Sequence, residues 1–326
     1  MLEAGNIFIA GHVDSDFDCM GSALGVSSWV KSIGKTANIV LKDVPRDVQL
    51  QNAMDYYRKN LVNRHHFISP EQADAMIDPK SDLLIMVDHG VPAISSASAF
   101  ISRCRKIIVI DHHRRGANFV PNPMLAYVES TSSSACELIT EMLETIPNHV
   151  PIYEPEATMM YLGILVDTNR FKMHTDARTF GAASTLRVWG ANAAFADKAL
   201  CVDYSEFSTK NRLIQEAIPY FGRFMVACIE DESVDKTMLA KIAQSLLTIQ
   251  GCVASFVIAR LNGSRQVTAV SARSDGTFNV QKIMEGLQGG GHFSAAAVER
   301  EDLTPEELKA VLLQKLKEET YENNLT

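Results

Sequence analysis

A histidine and three aspartates lie close together near the start of the chain: His12, Asp14, Asp16 and Asp18. The apolar run 7–10 before them predicts a buried parallel strand that ends just ahead of the histidine. Close carboxylates repel one another unless solvent or a cation intervenes. With an imidazole nitrogen they form a ligand set suited to Mn²⁺ or a similar divalent ion. The alternative is a polar capping loop in which Asp18 is the N-cap of the next helix.

Two further apolar runs end in the same residue types. Run 83–87 ends at Asp88, and run 107–110 ends at the sequence 111–113, which reads Asp-His-His. The carboxyl ends of parallel strands meet at one edge of a sheet, which is where α/β proteins bind ligands. A largely apolar helix also delivers Asp167 at its carboxyl end, where the macrodipole disfavours an acid and favours a cation. Convergence at one edge therefore favours a metal site over separate capping roles.

The elements that must position these residues point to an α/β fold with two domains. A chain of 326 residues is too long for one ordinary core. Alternating strand and helix patterns predict a parallel-sheet domain over 1–195, and a polar connector over 196–215. Region 216–326 has a different rhythm, with a hairpin pattern and a charged final helix. It predicts a smaller, mixed-sheet α/β domain.

Composition excludes several classes of protein. An apolar share of 46% and a mean hydropathy of -0.01 are typical of a globular protein. The net charge of -8 argues against stable DNA binding, which draws on clustered Lys and Arg. No apolar run approaches the roughly 20 residues of a membrane span, and the first residues do not form a signal peptide. The six cysteines include no Cys-x-x-Cys pair, so we expect reduced thiols and a cytoplasmic protein.

Two stretches could bind an anion. The hydroxyl-rich stretch 130–134 precedes a predicted helix, where it could cap the helix or hold phosphate. The stretch 289–292 reads Gly-Gly-Gly-His. It could be a flexible loop or a nest of exposed N–H groups. Neither stretch alone distinguishes its two interpretations.

Together, the Asp-His-His motif at 111–113 and the Gly-Gly-Gly-His motif at 289–292 resemble the DHH-type phosphoesterases, which carry a C-terminal DHH-associated domain. The blocks 163–168, 178–180 and 271–274 extend the likeness to the catalytic part of cyclic-di-AMP phosphodiesterases of GdpP type. These blocks occur in the family's order, and they cover nearly the whole chain. The resemblance implies the two-domain fold, with the active site in the cleft between the domains.

The resemblance also implies a site with two manganese ions, bridged by Asp88. One ion would be held by His12, Asp16 and Asp88, and the other by Asp18, Asp88, His112 and Asp167. Asp88, His113 and Arg114 would be catalytic, the last two facing the phosphoryl oxygens. Further substrate contacts would come from Ser133, Arg178, Arg273, Gly289, Gly290, Gly291 and His292. Four carboxylates facing two divalent cations leave a neutral site that does not repel a phosphate.

By resemblance, the expected reaction is manganese-dependent hydrolysis of cyclic-di-AMP to linear pApA. A nanoRNase or pAp phosphatase of the same family, or a non-catalytic nucleotide sensor, are the alternatives. A class C pyrophosphatase is disfavoured because its C-terminal domain lacks the Gly-Gly-Gly-His motif. Two departures are Gly90, where relatives usually have histidine, and Asp14, where they usually have asparagine. We expect either a standalone protein or the cytosolic fragment of a longer membrane-anchored one, and a homodimer is compatible with both.

Overall fold

The computed structural model describes residues 1–42, 45, 47–61, 63–147, 150–263 and 266–323. The chain divides into two compact units, Met1–Cys201 and Val202–Thr326. Their boundary falls inside the stretch 196–215 that the sequence predicts to be a connector. Part of that stretch is helical, because a helix at Tyr204–Ile214 belongs to the second unit.

A parallel sheet of six strands forms the centre of the first unit. In sequence order its strands are β1 (Ile7–Ala10), β2 (Ala37–Val40), β3 (His66–Ile68), β4 (Leu83–Val87), β5 (Ile107–Asp111) and β6 (Leu125–Val128). Their spatial order is β3-β2-β1-β4-β5-β6, and every pair is parallel. The strands β1, β2 and β4 are buried along their whole length, as continuous apolar runs predict for a sheet covered on both faces.

Helices cover both faces of this sheet. They are α1 (Phe17–Ser32), α2 (Val48–Asn60), α3 (Pro70–Met76), α4 (Ala135–Thr145), α5 (Glu154–Asp167), α6 (Ala177–Val188) and α7 (Ala193–Ala199). Alternate residues of β1 enter different cores: Ile7 and Ile9 pack in the cluster that includes α1, α4 and α5, and Phe8 packs on the opposite side. This alternation follows from the pleat of a strand.

The start of α1 differs from the sequence-based expectation. The N-cap is Asp16, whose carboxylate accepts a hydrogen bond from the N–H of Cys19. The assignment of Asp18 as N-cap was wrong, because Asp18 lies inside the first turn and is fully buried. Asp18 instead accepts hydrogen bonds from Ala135 and Cys136 at the start of α4. The carboxylate of Asp18 is thus bound by the N-terminus of α4, a helix that the local sequence around Asp18 does not contain.

The second unit contains a mixed sheet of six strands, as predicted. Its strands are β7 (Ala217–Tyr220), β8 (Phe224–Val234), β9 (Ala254–Leu261), β10 (Thr268–Ser274), β11 (Gly290–His292) and β12 (Ala295–Arg300). The spatial order is β11-β12-β10-β9-β8-β7, with only β8 and β9 parallel. Its helices are α8 (Tyr204–Ile214), α9 (Lys236–Leu246), α10 (Val280–Glu285) and α11 (Pro305–Asn323).

Two apolar cores lie in this second unit, one with α10 and α11 and the other with α8 and α9. The stretch 290–292, for which the sequence left a flexible loop open, forms the edge strand β11. A Cβ at Gly289 would lie 2.2 Å from the carbonyl oxygen of Ala297, and one at Gly291 would lie 2.5 Å from Cα of Ala296. Close packing on β12 thus requires these glycines. None of the helices among the described residues is long and apolar enough to cross a membrane.

Candidate metal centre

Ligand-type side chains gather at the carboxyl edge of the first sheet. His12 follows β1, Asp88 follows β4 and His112 follows β5. Asp16 and Asp18 come from the start of α1, and Asp167 is the last residue of α5. The structure thus brings all six expected ligands to one place, although they come from positions more than 150 residues apart in the chain.

The first group consists of His12, Asp16 and Asp88, whose potential ligand atoms lie within 4.8 Å of one another. Nε2 of His12 lies 3.6 Å from Oδ1 of Asp16 and 3.3 Å from Oδ2 of Asp88. Asp88 is almost fully buried. One nitrogen and two carboxylate oxygens therefore face a common point at the end of β1.

The second group consists of Asp18, His112 and Asp167. Nε2 of His112 lies 3.8 Å from Oδ2 of Asp18 and 3.4 Å from Oδ2 of Asp167. The same nitrogen lies 3.4 Å from Oδ1 of Asp88. Asp88 therefore turns Oδ2 toward His12 of the first group and Oδ1 toward His112 of the second, and it links the two groups.

Both groups fit a divalent cation. For an ion held at about 2.1 Å, ligand atoms at right angles lie about 3.0 Å apart and opposite ligands about 4.2 Å apart. The separations of 3.3 to 3.8 Å fall in this interval. Oδ1 of Asp88 is buried and has no hydrogen-bond partner among the described residues. A buried, unsatisfied carboxylate oxygen is costly unless a cation meets it, and the nitrogen and oxygen donors suit Mn²⁺.

The backbone at Asp88 is also unusual. Its φ of 61° lies in the left-handed region, which residues other than glycine adopt rarely. Such conformations cluster at functional sites, where surrounding structure holds them. The next residue, His89, is buried, and its Nδ1 lies 2.9 Å from the carbonyl oxygen of Val87, to which it donates. Its ring packs edge-on against that of His12.

When no cation is bound, the charged side chains at this edge shift one another's pKa values. Burial opposes protonation of His12, but Asp16 and Asp88 outweigh it and raise the pKa of His12 to about 10. His112 behaves similarly, and its pKa rises to about 9. Burial and the neighbouring Asp88 raise the pKa of Asp18 to about 7. Without cations, protons therefore compensate part of the negative charge that the carboxylates bring together.

Asp18 is held in place by backbone groups and by a close helix contact. Its Oδ2 accepts the N–H of Ala135 at 2.6 Å, and its Oδ1 accepts the N–H of Cys136 at 2.8 Å. A Cβ at Gly163 on α5 would lie 2.9 Å from Cα of Asp18 and 3.0 Å from its Oδ1. The glycine thus lets α5 approach the carboxylate. The local sequence does not indicate this role for Gly163, although the residue lies in the matching block 163–168.

The two other expected catalytic residues, His113 and Arg114, come directly after His112 in the chain. The Nδ1 of His113 lies 2.8 Å from Oδ1 of Asp111, and this hydrogen bond raises the pKa of His113. His113 also lies 3.7 Å from Oδ1 of Asp88, and its side chain is 60% exposed. Arg114 is exposed beside it. Asp111 therefore orients an imidazole that borders both the carboxylates and solvent, a role that its position in the sequence did not disclose.

The other expected contacts of this unit have protein partners. Ser133 is buried and donates its hydroxyl to Oε2 of Glu137 at 2.5 Å. Glu137 is fully buried, and its second oxygen has no partner among the described residues. Arg178 binds the carboxylate of Glu141 through Nε and Nη2, at 2.8 and 2.6 Å. A substrate contact from Arg178 would compete with this fork.

Packing behind the end of β4 explains the glycine at position 90. A Cβ at Gly90 would lie 2.1 Å from the ring of Phe119. The aromatic ring therefore occupies the space that a larger residue would need, and a histidine at Gly90 would require Phe119 to move. His89, by contrast, keeps its imidazole buried beside His12.

In the second unit, Arg273 and His292 share a row of the sheet. Arg273 on β10 and His292 on β11 both pair with Ala295 on β12, from its two sides. Residues paired across adjacent strands project on the same face. The side chain of Arg273 donates to the carbonyl oxygen of Ala272 at 2.9 Å, and burial lowers its pKa. His292 is exposed, so a cationic and an imidazole side chain flank one small residue.

Known proteins place this chain in a family. Residues 6–164 match the N-terminal domain of the DHH family, and residues 221–322 match the DHHA1 domain. The chain is 38% identical over 305 residues to the cyclic-di-AMP phosphodiesterase GdpP of Geobacillus thermodenitrificans, covering 93% of this chain. It spans 46% of the length of that relative.

Solved structures agree on the fold. An exopolyphosphatase-related protein from Bacteroides fragilis superposes with a TM-score of 0.80 at 20% identity, covering 97% of this chain and 93% of that one. RecJ of Thermus thermophilus, solved in complex with Mn²⁺, gives a TM-score of 0.52 at 15% identity, covering 96% of this chain and 52% of that one. The two matched domains lie in the same order as the two structural units. The chain therefore belongs to the DHH family and combines its N-terminal domain with a DHHA1 domain.

Proposed function

We propose that this chain is the catalytic part of a manganese-dependent phosphodiesterase that hydrolyses cyclic-di-AMP to linear pApA. The observation that carries this proposal is the pair of ligand groups joined by Asp88, whose two oxygens face His12 and His112 at 3.3 and 3.4 Å. A shared carboxylate between two such groups is typical of two-metal phosphoester hydrolysis. The relative GdpP, a cyclic-di-AMP phosphodiesterase, supplies the substrate class.

In this proposal two Mn²⁺ ions occupy the two groups, each with its own imidazole. His12, Asp16 and Asp88 hold one ion, and Asp18, Asp88, His112 and Asp167 hold the other. When bound, such ions supply Lewis-acid activation of water and of the phosphoryl group. The four carboxylates balance the charge of two divalent cations, so the phosphate enters a site with little net charge.

The side chains around this centre bind and orient the phosphodiester. His113, held by Asp111, offers its free ring nitrogen to a phosphoryl oxygen, and Arg114 adds a fixed positive charge. Positive groups aimed at developing negative charge stabilise a transition state. Because the hydroxyl of Ser133 donates its hydrogen bond to Glu137, the hydroxyl oxygen remains available as an acceptor. We assign Ser133 to a ribose hydroxyl or a base amino group rather than to phosphate.

The second unit contributes recognition of the distal half of the dinucleotide. Arg273 and His292 lie on one face of its sheet with Ala295 between them. Guanidinium groups bind phosphate in a planar fork and also stack on bases. A Cβ at Gly290 would meet nothing within 4 Å, so a substrate can approach the edge strand closely on that side. Arg178, Gly289 and Gly291 complete the proposed substrate set.

A side-by-side assay tests the choice of substrate. The purified chain is given Mn²⁺ and equal concentrations of cyclic-di-AMP, pApA, a short oligoribonucleotide and pAp. We expect the fastest turnover on cyclic-di-AMP, with pApA accumulating. Faster turnover of pAp or RNA would refute the substrate assignment, and tight binding without turnover in Mn²⁺, Mg²⁺ and Co²⁺ would refute catalysis.

Elemental analysis tests the metal assignment. Asp88→Ala removes the carboxylate that both groups share, so we expect loss of activity and of both ions. Asp14→Ala is the control, because Asp14 is an acidic neighbour in the same loop but belongs to neither ligand group. We expect it to keep its manganese nearly unchanged. Equal metal loss in the two variants would contradict the ligand assignment.

A further inference from the structure

A basic pocket lies at the opposite, amino edge of the first sheet. This amino-edge pocket lies where β1, β2 and β3 begin and where α1 ends, and its volume is about 530 Å³. Along β1, the six residue steps from Asn6 to His12 span about 20 Å at about 3.3 Å per residue. A molecule in this pocket therefore cannot touch the metal centre.

Most of the side chains that line the pocket are polar or basic, and Ala37 and Met76 are the apolar ones among the described residues. The polar and basic ones include Lys31, Lys35, Asn38, Asn63, Arg64 and His66. No Asp or Glu side chain belongs to the pocket wall among the described residues. The chain as a whole carries 39 acidic and 31 basic residues. Although the protein as a whole is acidic, the described part of this pocket wall contains basic side chains and no acidic ones, so the electrostatic potential in the pocket is positive.

Part of this wall is held by hydrogen bonds, and its charges are paired. Nε of Arg64 donates to Oε1 of Glu156 at 2.5 Å, and its guanidinium lies 4.2 Å from the ring centroid of Tyr153. His65 is bonded on both ring nitrogens, to Ser27 and to Glu156, at 2.6 and 2.5 Å. Glu156 thus neutralises Arg64 behind the pocket. These side chains shape the wall without supplying its free charge.

The free charge comes from two lysines. Nζ of Lys31 donates to the carbonyl oxygen of Arg64 at 2.5 Å, and Nζ of Lys35 donates to that of Ala4. Within the described part of the chain, neither ammonium group has a carboxylate within 4.0 Å. Each ammonium has three N–H donors, so the carbonyl contact leaves two for another acceptor. Hydrogen bonds to carbonyl oxygens do not neutralise a charge, so they do not explain why the ammonium groups of Lys31 and Lys35 both lie at this pocket.

We propose that the amino-edge pocket binds a phosphate-bearing small molecule of about nucleotide size. Lysine ammonium groups bind phosphate as point charges. The volume lies within the range of small-molecule sites, about 300 to 1,000 Å³. Asn63 adds an amide group that can bind a sugar or a base, and Asn38 adds its Nδ2, since its Oδ1 lies 2.7 Å from Nδ1 of His66. Lys31 and Lys35 hold the phosphate, and the wall formed by Arg64 and His65 fixes the shape of the pocket.

The test measures binding of three probes by titration calorimetry at fixed ionic strength and with EDTA: AMP, inorganic phosphate and succinate. We expect saturable binding of AMP or phosphate and none of succinate. Lys31→Gln with Lys35→Gln should weaken binding at least tenfold. Lys59→Gln with Lys80→Gln removes the same charge from exposed positions outside the pocket and should not. Preference for AMP over phosphate would identify an organic phosphate as the ligand.

A variant of the metal centre distinguishes ligand binding at one edge of the sheet from binding at the other. Asp88→Ala should keep the binding, because the amino-edge pocket lies on the other edge. Loss of binding in Asp88→Ala, equal binding in the two lysine pairs, or no saturable binding at all would overturn the proposal. Should the glutamine pair fail to fold, Lys31→Arg with Lys35→Arg should keep the affinity, and Lys35→Gln alone should lower it at least threefold. The test is independent of the proposed hydrolysis.

Discussion

The position of Gly163 gives the sharpest test of how the helices build the metal centre. Gly163 lies within α5, and a side chain at this position would point at the start of α1. A Cβ there would lie 2.7 Å from Sγ of Cys136, 2.9 Å from Cα of Asp18 and 3.0 Å from Oδ1 of Asp18. One of these neighbours is backbone, which cannot rotate away. Gly163→Ala must therefore displace Asp18 or separate α5 from α1.

A second helical glycine, Gly181, serves as the control for this substitution. Gly181 lies within α6, and a Cβ there would meet nothing within 4 Å. Both substitutions gain the same intrinsic helix propensity, about 1 kcal/mol. Only Gly163→Ala also overpacks a core, which costs about 1–3 kcal/mol. We therefore expect Gly163→Ala to be about 1–3 kcal/mol less stable than Gly181→Ala in urea unfolding.

The displacement should also reach the metal. Changes to residues that orient metal ligands typically lower metal affinity about 10- to 100-fold. We expect a loss of this size for Mn²⁺ in Gly163→Ala and no loss in Gly181→Ala, measured by titration calorimetry on the metal-free proteins. If the two variants have equal stability and equal manganese affinity, the close approach of α5 does not position Asp18.

Three other outcomes follow from the contacts described. Arg273→Ala and His292→Ala should raise the KM for cyclic-di-AMP at least about tenfold, equal to roughly 1.4 kcal/mol, with smaller losses on bis(p-nitrophenyl) phosphate; equal losses would refute distal recognition. Asp111→Asn should lower kcat about 10- to 100-fold at unchanged manganese content, because His113 loses its orienting charge; a parallel loss of metal would make Asp111 a ligand. Burial lowers the pKa of His65 below 6.5, so the unfolded chain takes up this proton first and stability falls as pH falls below 6.5. His65→Gln should remove this part of the slope, up to about 1.4 kcal/mol per pH unit in urea unfolding between pH 7 and 5.

Buried elements could be predicted from the sequence, and edge elements could not. The strands β4 and β5 are continuous apolar runs, and the structure has them where the sequence places them. The strands β3 and β6 lie at the two edges of the sheet and are only partly buried, so they lack such runs. Their backbone pairing comes from a neighbouring strand, which a local pattern does not contain.

The same distinction applies to the metal centre. The residues that directly follow strands, such as His12 and Asp88, could be placed together because parallel strands end at one edge. The supporting residues could not, because their roles depend on contacts between distant elements. Glu137 accepts from Ser133, and Gly163 gives room to Asp18. The wrong N-cap arose in the same way, because the partner of Asp18 is a helix more than 100 residues further along.

The start of α4 shows what this contact does to phosphate recognition. A free helix N-terminus offers several N–H groups to an anion. Here the N–H groups of Ala135 and Cys136 already bind Asp18, and that of Glu137 binds the hydroxyl of Ser134. The hydroxyl-rich stretch 130–134 therefore caps a helix whose anion is a side chain of the protein itself. A substrate phosphate at this edge must find its partners elsewhere, at His113, Arg114 and the ions that the six ligands are proposed to hold.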